Sequence, residues 1–325
     1  MVSVVMSVYS EPIKWLEESI NSILNQIYAD FEFIIVCDNP ENTEAQLVVK
    51  SFSNNDNRIK IIVNETNIGL TKSLNKGIAV SKGEYIARMD ADDIAHPDRF
   101  SKQVDFFEKN PDISICSSDA RVIDENSQLV AETRVHGHLI IEDLFKRSPL
   151  IHPTVMFRRT LLSLRSPFYN EQYKISQDYE LWTFLYLNKT YFGIIKEPLI
   201  DYRISQKQIS RKNQEVQIKN SSEIGRSFYL KMISQFVPNA ENLKPEDQLA
   251  GLSKNMINIP SDDKRMYLEL LYRQYYTVSR KHKIYVLKYF ADPNGLIQRL
   301  PLRKAAYMLL SLILKNRYNK YELYI

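Results

Sequence analysis

At 325 residues the chain has room for one large α/β domain with a helical extension, or for two domains. Its 44% hydrophobic and 25% charged residues are those of an ordinary soluble protein, and a net charge of +4 excludes a strongly basic nucleic-acid binder. No window approaches the roughly 20 apolar residues of a membrane span, Ala305 to Leu314 coming nearest.

The two cysteines, Cys37 and Cys116, sit in apolar runs and read as buried free thiols of a reducing compartment. Val2 to Val8 is rich in β-branched residues and reads as a strand buried on both faces, not as a signal peptide, because no basic segment precedes it. A cytoplasmic protein is therefore expected. Pro12 opens a helix whose apolar positions Ile13, Leu16, Ile20, Ile23, Leu24 and Ile27 recur every three or four residues. Phe31 to Cys37 is a second strand, closed by Asp38-Asn-Pro40. A helix over about Thr43 to Ser53, a strand over Arg58 to Val63, a loop over Asn64 to Gly69 and a helix over Leu70 to Val80, interrupted by Gly77, follow.

The fourth strand, Tyr85 to Met89, delivers three acids in four residues: Asp90, Asp92 and Asp93. Crowded carboxylates repel, so such a cluster calls for a cation or for hydrogen bonds. Taken alone, it is also what an ordinary Asp-rich turn looks like. Ala91 is small enough for a ligand to lie against the backbone. Pro97 stops the chain before a helix resumes around Phe100 to Lys109.

The β-α-β-α-β-α-β run predicts a mostly parallel sheet with helices on both faces, and ligands in such sheets collect at the carboxyl ends of the strands. Tyr9, Asp38 and the acidic run all fall there. Neither a Gly-x-Gly-x-x-Gly fingerprint nor a P-loop is present, so a phosphate would need metal ions and side chains.

Beyond Ser114, strands are expected at Ile113 to Ser117, Ala120 to Ile123, Ile151 to Phe157 and Gly193 to Tyr202, with helices in His136 to Phe145 and from Ser176 through Leu187. Ser176 reads as the cap of the last helix. Asp178 then sits in its first turn, where the helix dipole favours a deprotonated carboxylate that can act as a base. Gln206 to Asn213 reads as a mobile loop. The tail from Gly295 to Ile325 pairs Leu300, Leu302, Leu309, Leu310 and Leu312 with Arg299, Arg303, Lys304, Lys315 and Arg317. A basic, apolar helix of this kind either lies on an anionic membrane or packs on its own domain or on a second copy of the chain.

Six segments in order carry a resemblance: Val2 to Tyr9, Phe33 to Asp38, Asn67-x-Gly69 with Asn75-x-Gly77, Gly83 to Asp93 with Pro97-Asp-Arg99, His152 to Arg158, and Gln177 to Trp182. Over Val2 to about Ser210 the chain resembles family 2 glycosyltransferases, of the bacterial kind that builds capsule, O-antigen or exopolysaccharide. The resemblance implies a GT-A-type, Rossmann-like mixed sheet flanked by helices over residues 1–210, with a helical C-terminal region over 211–325. It also implies an inverting transferase that moves a hexose or N-acetylhexosamine from a UDP-sugar to a glycan acceptor, on an undecaprenyl-diphosphate carrier, with Mn²⁺ or Mg²⁺ as cofactor.

The implied donor site is Ser7, Tyr9, Glu11, Asp38, Asn67, Lys72, Asp90 and Ala91. Tyr9 would lie on the uracil, Asp38 would accept its N3 hydrogen, and Asp90 would meet the ribose. Asp92 would hold the metal and Asp178 would be the catalytic base. His152, Gln177 and Trp182 are candidates for the acceptor side. His152 otherwise reads as a structural histidine, Trp182 as core, and Lys72 as a solvent-facing lysine. The chain departs from the family pattern at Cys37, where a second acid often stands, at Gln177, which replaces an acid, at Ser205, which replaces a His, and at Ser7, which replaces a Pro. A nucleotide-sugar-binding protein without turnover is the alternative reading. Substitution of Asp178 separates the two.

Overall fold

The structure is a computed structural model that describes residues 1–133, 143–145, 147–205, 213–245, 247–248, 251–252 and 270. The residues fall into two compact units, one of 1–140 and 147–221, the other of 141–146 and 222–325.

The first unit holds a mixed sheet of nine strands. They are β1 (Val2–Val8), β2 (Phe31–Cys37), β3 (Ile59–Val63), β4 (Tyr85–Asp90), β5 (Ile94–Ala95), β6 (Ile113–Ile123), β7 (Leu129–Thr133), β8 (Met156–Arg158) and β9 (Tyr191–Arg203). Their order is β3-β2-β1-β4-β8-β6-β9-β5, with β7 paired to β6. The β3-β2-β1-β4 half is parallel, as the alternation of strand and helix predicts. Its helices are α1 (Ile13–Leu24), α2 (Thr43–Asn55), α3 (Leu70–Val80), α4 (Arg99–Lys109) and α5 (Gln177–Leu187). Every residue of β2 is buried, which is why it reads as an apolar run broken only by Glu32, whose carboxylate is bonded to Ser3 and Lys60. Val4, Met6, Phe33, Ile35, Ala87 and Met89 form the core against Leu16, Ile20, Ile23, Phe100 and Phe107 of the helices.

Helix α3 comes unusually close to the sheet. A Cβ on Gly77 would stand 2.5 Å from Val5 Cγ1. Gly77 thus does not interrupt the helix; it lets the helix seat.

Four expectations need correction. Ile113–Ile123 is a single strand, since Ser118 and Asp119 continue it through an irregularity in its pairing with β9. Ile151 to Phe157 is not a continuous strand. Pro153 has no N–H to give a ladder, and the chain makes a 3₁₀ turn over His152–Thr154 before the three residues of β8. The short strands β5 and β7 carry too little pattern to be read from sequence. Ser176 is not a side-chain cap: its φ of 66° places it in the left-handed region, and its buried Oγ has no hydrogen-bond partner. The helix expected in His136–Phe145, the loop at Gln206–Asn213 and the basic tail lie wholly or mainly outside the described residues.

In the second unit, Phe145 packs on Phe228 with ring centroids 5.0 Å apart. Gln248 Nε2 donates to the Ala240 and Leu243 carbonyls. Helix α6 (Gln214–Ser234) runs through the boundary between the units. No described helix is long and apolar enough to cross a membrane.

Candidate active site

The parallel register sets the site. β1 lies between β2 and β4, so Ser7 is level with Val36 on one side and with Asp90 on the other. Tyr9, Asp38 and Asp90 therefore leave the same edge of the sheet. Tyr9 is 42% exposed at that rim, with its N–H donated to Glu11 Oε2 at 2.8 Å and its carbonyl accepting from Asn42 Nδ2. Asp38 is buried and already engaged. One of its oxygens accepts from Asn64 Nδ2 (2.7 Å) and the Ile68 N–H (2.9 Å), and the other from the Gly69 N–H (2.8 Å). It fixes the loop that carries Asn67, whose own Oδ1 accepts from the Gly69 N–H. Gly69 enters α3 with φ 87°, a conformation that costs glycine nothing. Lys72, in the first turn of α3, is exposed.

At the end of β4, one carboxylate oxygen each from Asp90, Asp92 and Asp93 lies within 4.8 Å of the others. Asp90 pairs with the buried Arg88 guanidinium. Asp93 accepts from the Arg203 N–H at 2.8 Å, while its other oxygen is buried without a hydrogen-bond partner. Burial, then the charges of Asp90 and Glu11, push the Asp92 carboxyl up to about 7. Three hard oxygen donors, one of them orphaned and another reluctant to ionise, are a donor set that fits a hard divalent cation. Ala91 between them is buried.

Arg203 pins this turn. Its Nε donates to the Asp92 carbonyl (2.8 Å), Nη2 to Glu18 of α1 (2.7 Å), and Nη1 to the Asp124 carbonyl and Ser127 Oγ of the β6–β7 turn. Neither Arg88 nor Arg203 is singled out by sequence reasoning. The signal was there in principle, since an arginine within a strand run needs a buried partner.

Asp178 occupies the first turn of α5, as expected, but burial raises its carboxyl above the usual range instead of leaving it freely ionised. Four influences oppose that rise: a hydrogen bond from Ser148 Oγ to Oδ2 at 2.9 Å, the Tyr179 N–H, the charge of Arg88 and the N–H of Asp178 itself. Ser148 also accepts from Trp182 Nε1 at 3.1 Å. Trp182 is fully buried and belongs to the core. His152 is buried against Trp182 and hydrogen-bonded to Tyr169 OH through Nε2 at 2.7 Å, and burial, then Arg88, hold it well below the usual histidine range. It is a neutral, structurally satisfied imidazole. Gln177 is buried at the start of α5.

Asp178 and the acidic turn share electrostatic neighbours. The Tyr169 phenol feels Arg88, Asp178 and Asp90 together, and Arg88 acts on Asp178 and on all three acids of the turn. The half-buried Asp178 carboxylate and the acidic turn are thus coupled through Arg88 and Tyr169.

The glycosyl transferase family 2 model matches residues 3–171, which takes in β1 through β8. The chain belongs to glycosyl transferase family 2. Among relatives in the family, an uncharacterized glycosyltransferase of Methanocaldococcus jannaschii is 42% identical over 207 residues, 63% of this chain and 71% of that one. The UDP-Gal:alpha-D-GlcNAc-diphosphoundecaprenol beta-1,3-galactosyltransferase of Escherichia coli is 30% identical over 214 residues, 65% of this chain and 76% of its own. The fold is that of S. aureus TarS 1-349, solved in complex with UDP-GlcNAc, with TM-score 0.58 at 17% identity over 96% of this chain and 88% of that one. As a family 2 glycosyltransferase the protein has the GT-A fold, and the cleft at the carboxyl edge of its parallel strands is its candidate active site.

Proposed function

We propose that the chain is an inverting, divalent-metal-dependent transferase that moves a hexose or N-acetylhexosamine from a UDP-sugar to a lipid-diphosphate-linked glycan in surface polysaccharide assembly. The observation that carries this reading is the clustering of Asp90, Asp92 and Asp93 beside an Arg88 and a Tyr169 that also act electrostatically on, or feel, Asp178. The UDP-Gal donor and the diphosphoundecaprenol acceptor of the E. coli relative support it, as does the UDP-GlcNAc bound by the TarS neighbour.

Tyr9, at the rim, offers a face for the uracil, and Ser7, Glu11, Asn67 and Lys72 surround the nucleoside and phosphates. Asp38 holds the base-reading loop and keeps lone-pair capacity for the uracil N3 hydrogen. Asp90 and the backbone at Ala91 meet the ribose. Asp92, with Asp90 and Asp93 beside it, would hold Mn²⁺ or Mg²⁺. When bound, the cation neutralises charge that grows on the departing diphosphate.

Asp178 takes the proton of the acceptor hydroxyl as its oxygen bonds to the anomeric carbon. The bond from that carbon to the donor phosphate breaks, and its electron pair leaves on the diphosphate. Attack from the face opposite the leaving group inverts the centre. Burial raises the basicity of Asp178, and Arg88 limits the rise, so the group is a stronger base than an exposed aspartate. Gln177 borders the acceptor side, while His152 and Trp182 shape it from within the core.

The test is Asp178→Asn, assayed for UDP binding with Mn²⁺ and for sugar transfer. Binding should remain near the unsubstituted level and transfer should be abolished. Unchanged transfer would remove Asp178 from the mechanism, and loss of both would mean that the substitution damages the cleft. From its sequence, the basic tail is proposed to touch anionic lipid. Deleting Leu296 to Ile325 should reduce sedimentation with anionic vesicles, and full retention would assign the tail to protein packing.

A further inference from the structure

Resting on that reading, we infer that Ser148 is a positioning residue for the catalytic base, a hydroxyl held by Trp182 that orients Asp178 and favours its ionised form. Ser148 Oγ lies 2.9 Å from Asp178 Oδ2, 3.2 Å from the Leu150 carbonyl and 3.1 Å from Trp182 Nε1. The indole N–H has only a proton to give, so it fills an acceptor site on Oγ. A hydroxyl owns one proton, which leaves a choice of two acceptors, the Asp178 carboxylate and the Leu150 carbonyl.

Hydrogen bonds to a charged acceptor are the stronger, so the proton turns to Asp178 while it is ionised. Once Asp178 has taken the acceptor's proton, that preference disappears. The Ser148 proton can then stay directed at Oδ2 in a weaker, neutral hydrogen bond or swing to the Leu150 carbonyl. Its bond to Asp178 is thus strongest when Asp178 is ionised. The count balances: one proton leaves the acceptor, one arrives on Asp178, and that of Ser148 at most changes direction.

The geometry also fixes the carboxylate plane. With Oδ2 held, Asp178 presents its remaining lone pairs in one orientation, and Trp182, one turn along α5, braces the group that holds it. Arg88 of β4, Tyr169 of the loop before α5 and neutral His152 are the other titratable or charged groups around this pocket. None of these three donates a hydrogen bond to Asp178, so among the described residues Ser148 is the side chain that sets its direction.

The experiment is the pH profile of transfer for Ser148→Ala and Ser148→Thr, with UDP binding and the melting temperature measured on each. One hydrogen bond to a charged group is worth a factor of about ten or more, so in Ser148→Ala the acidic limb of kcat/KM should move up by about one pH unit. The rate below the limb should fall about tenfold, with UDP affinity unchanged. Ser148→Thr keeps the hydroxyl and should restore the limb. If Ser148→Ala fails to fold, Ser148→Cys, with its weak donor, takes its place and should show the same upward shift. A limb that stays put in a folded Ala or Cys variant overturns the inference. Loss of transfer in Asp178→Asn alongside it would leave the assignment of the base standing, whereas retained transfer in Asp178→Asn would sink that assignment first.

Discussion

Asp92 and Asp178 carry the same side chain, and their neighbours give them opposite needs. Burial opposes the charge of both, but Asp92 also faces Asp90 and Glu11, whereas Asp178 has Ser148, the Tyr179 N–H and Arg88 to ease ionisation. The first asks for a cation and the second for a proton. Asp92→Ala should therefore weaken UDP binding, by calorimetry, only when Mn²⁺ is present; an equal loss without the metal would indicate a damaged fold.

The base should also cost stability. Because burial raises the Asp178 carboxyl, its charge opposes folding at pH above its folded value, and the penalty fades as pH falls towards that of the unfolded chain. Asp178→Asn should then melt a few degrees higher than the unsubstituted protein at pH 8, each kcal/mol being worth about 2–4 °C in a chain of this size. The difference should shrink below about pH 4. A variant that melts lower at pH 8 would contradict the assignment of a desolvated charge there.

At the level of elements, α3 shows how the site is held. Asn75 clamps the Tyr169 backbone in both directions, with Nδ2 donating to its carbonyl at 2.9 Å and Oδ1 accepting its N–H at 2.8 Å, and Thr71 Oγ1 donates to the Tyr173 carbonyl. Asn75→Ala should lower stability by about 1–3 kcal/mol in urea unfolding, since a buried N–H and carbonyl lose their partner. Gly77→Ala should cost about 1–3 kcal/mol, because the new methyl meets a branched Val5 that has little rotamer freedom.

The parallel strands were legible because each is a mainly apolar run between helices of clear period. The second half was not, because β5, β7 and β8 are two, five and three residues long, and β5 and β8 are made by pairing with distant partners. The acids Asp90, Asp92 and Asp178 stood out by type and position. Ser148, Arg88, Tyr169 and Arg203 did not, because their importance comes from contacts across long sequence separations, Arg203 reaching Glu18 over 185 residues.

On the scale of the first unit, acid should loosen a seam between β5, β6 and β9. Asp201 accepts from Arg121 through both oxygens at 2.7 Å and lies 2.7 Å from His96 Nε2. Although its burial works the other way, His96 and then Arg121 hold its carboxyl down to about 2. A depressed carboxylate contributes stability that is complete above the unfolded value and is lost as pH falls through the folded one, here between about pH 4 and pH 2. Comparing the protein with Asp201→Asn by urea unfolding should show an advantage of roughly 2 kcal/mol at pH 6 that disappears towards pH 2. A gap that persists undiminished at pH 2 would mean that packing, not charge, makes the seam.

The shared register of β1 bears on how such a chain can change length. Ser7 is aligned with Val36 and Asp90 at once, and the Asp38 N–H is donated to the Val8 carbonyl at 2.8 Å. One residue inserted into β1 would turn its inward side chains outward and slide Tyr9 out of step with two neighbours simultaneously. Surface loops can absorb added residues with little penalty. This strand cannot, and insertion scanning should find it the least forgiving stretch of the sheet.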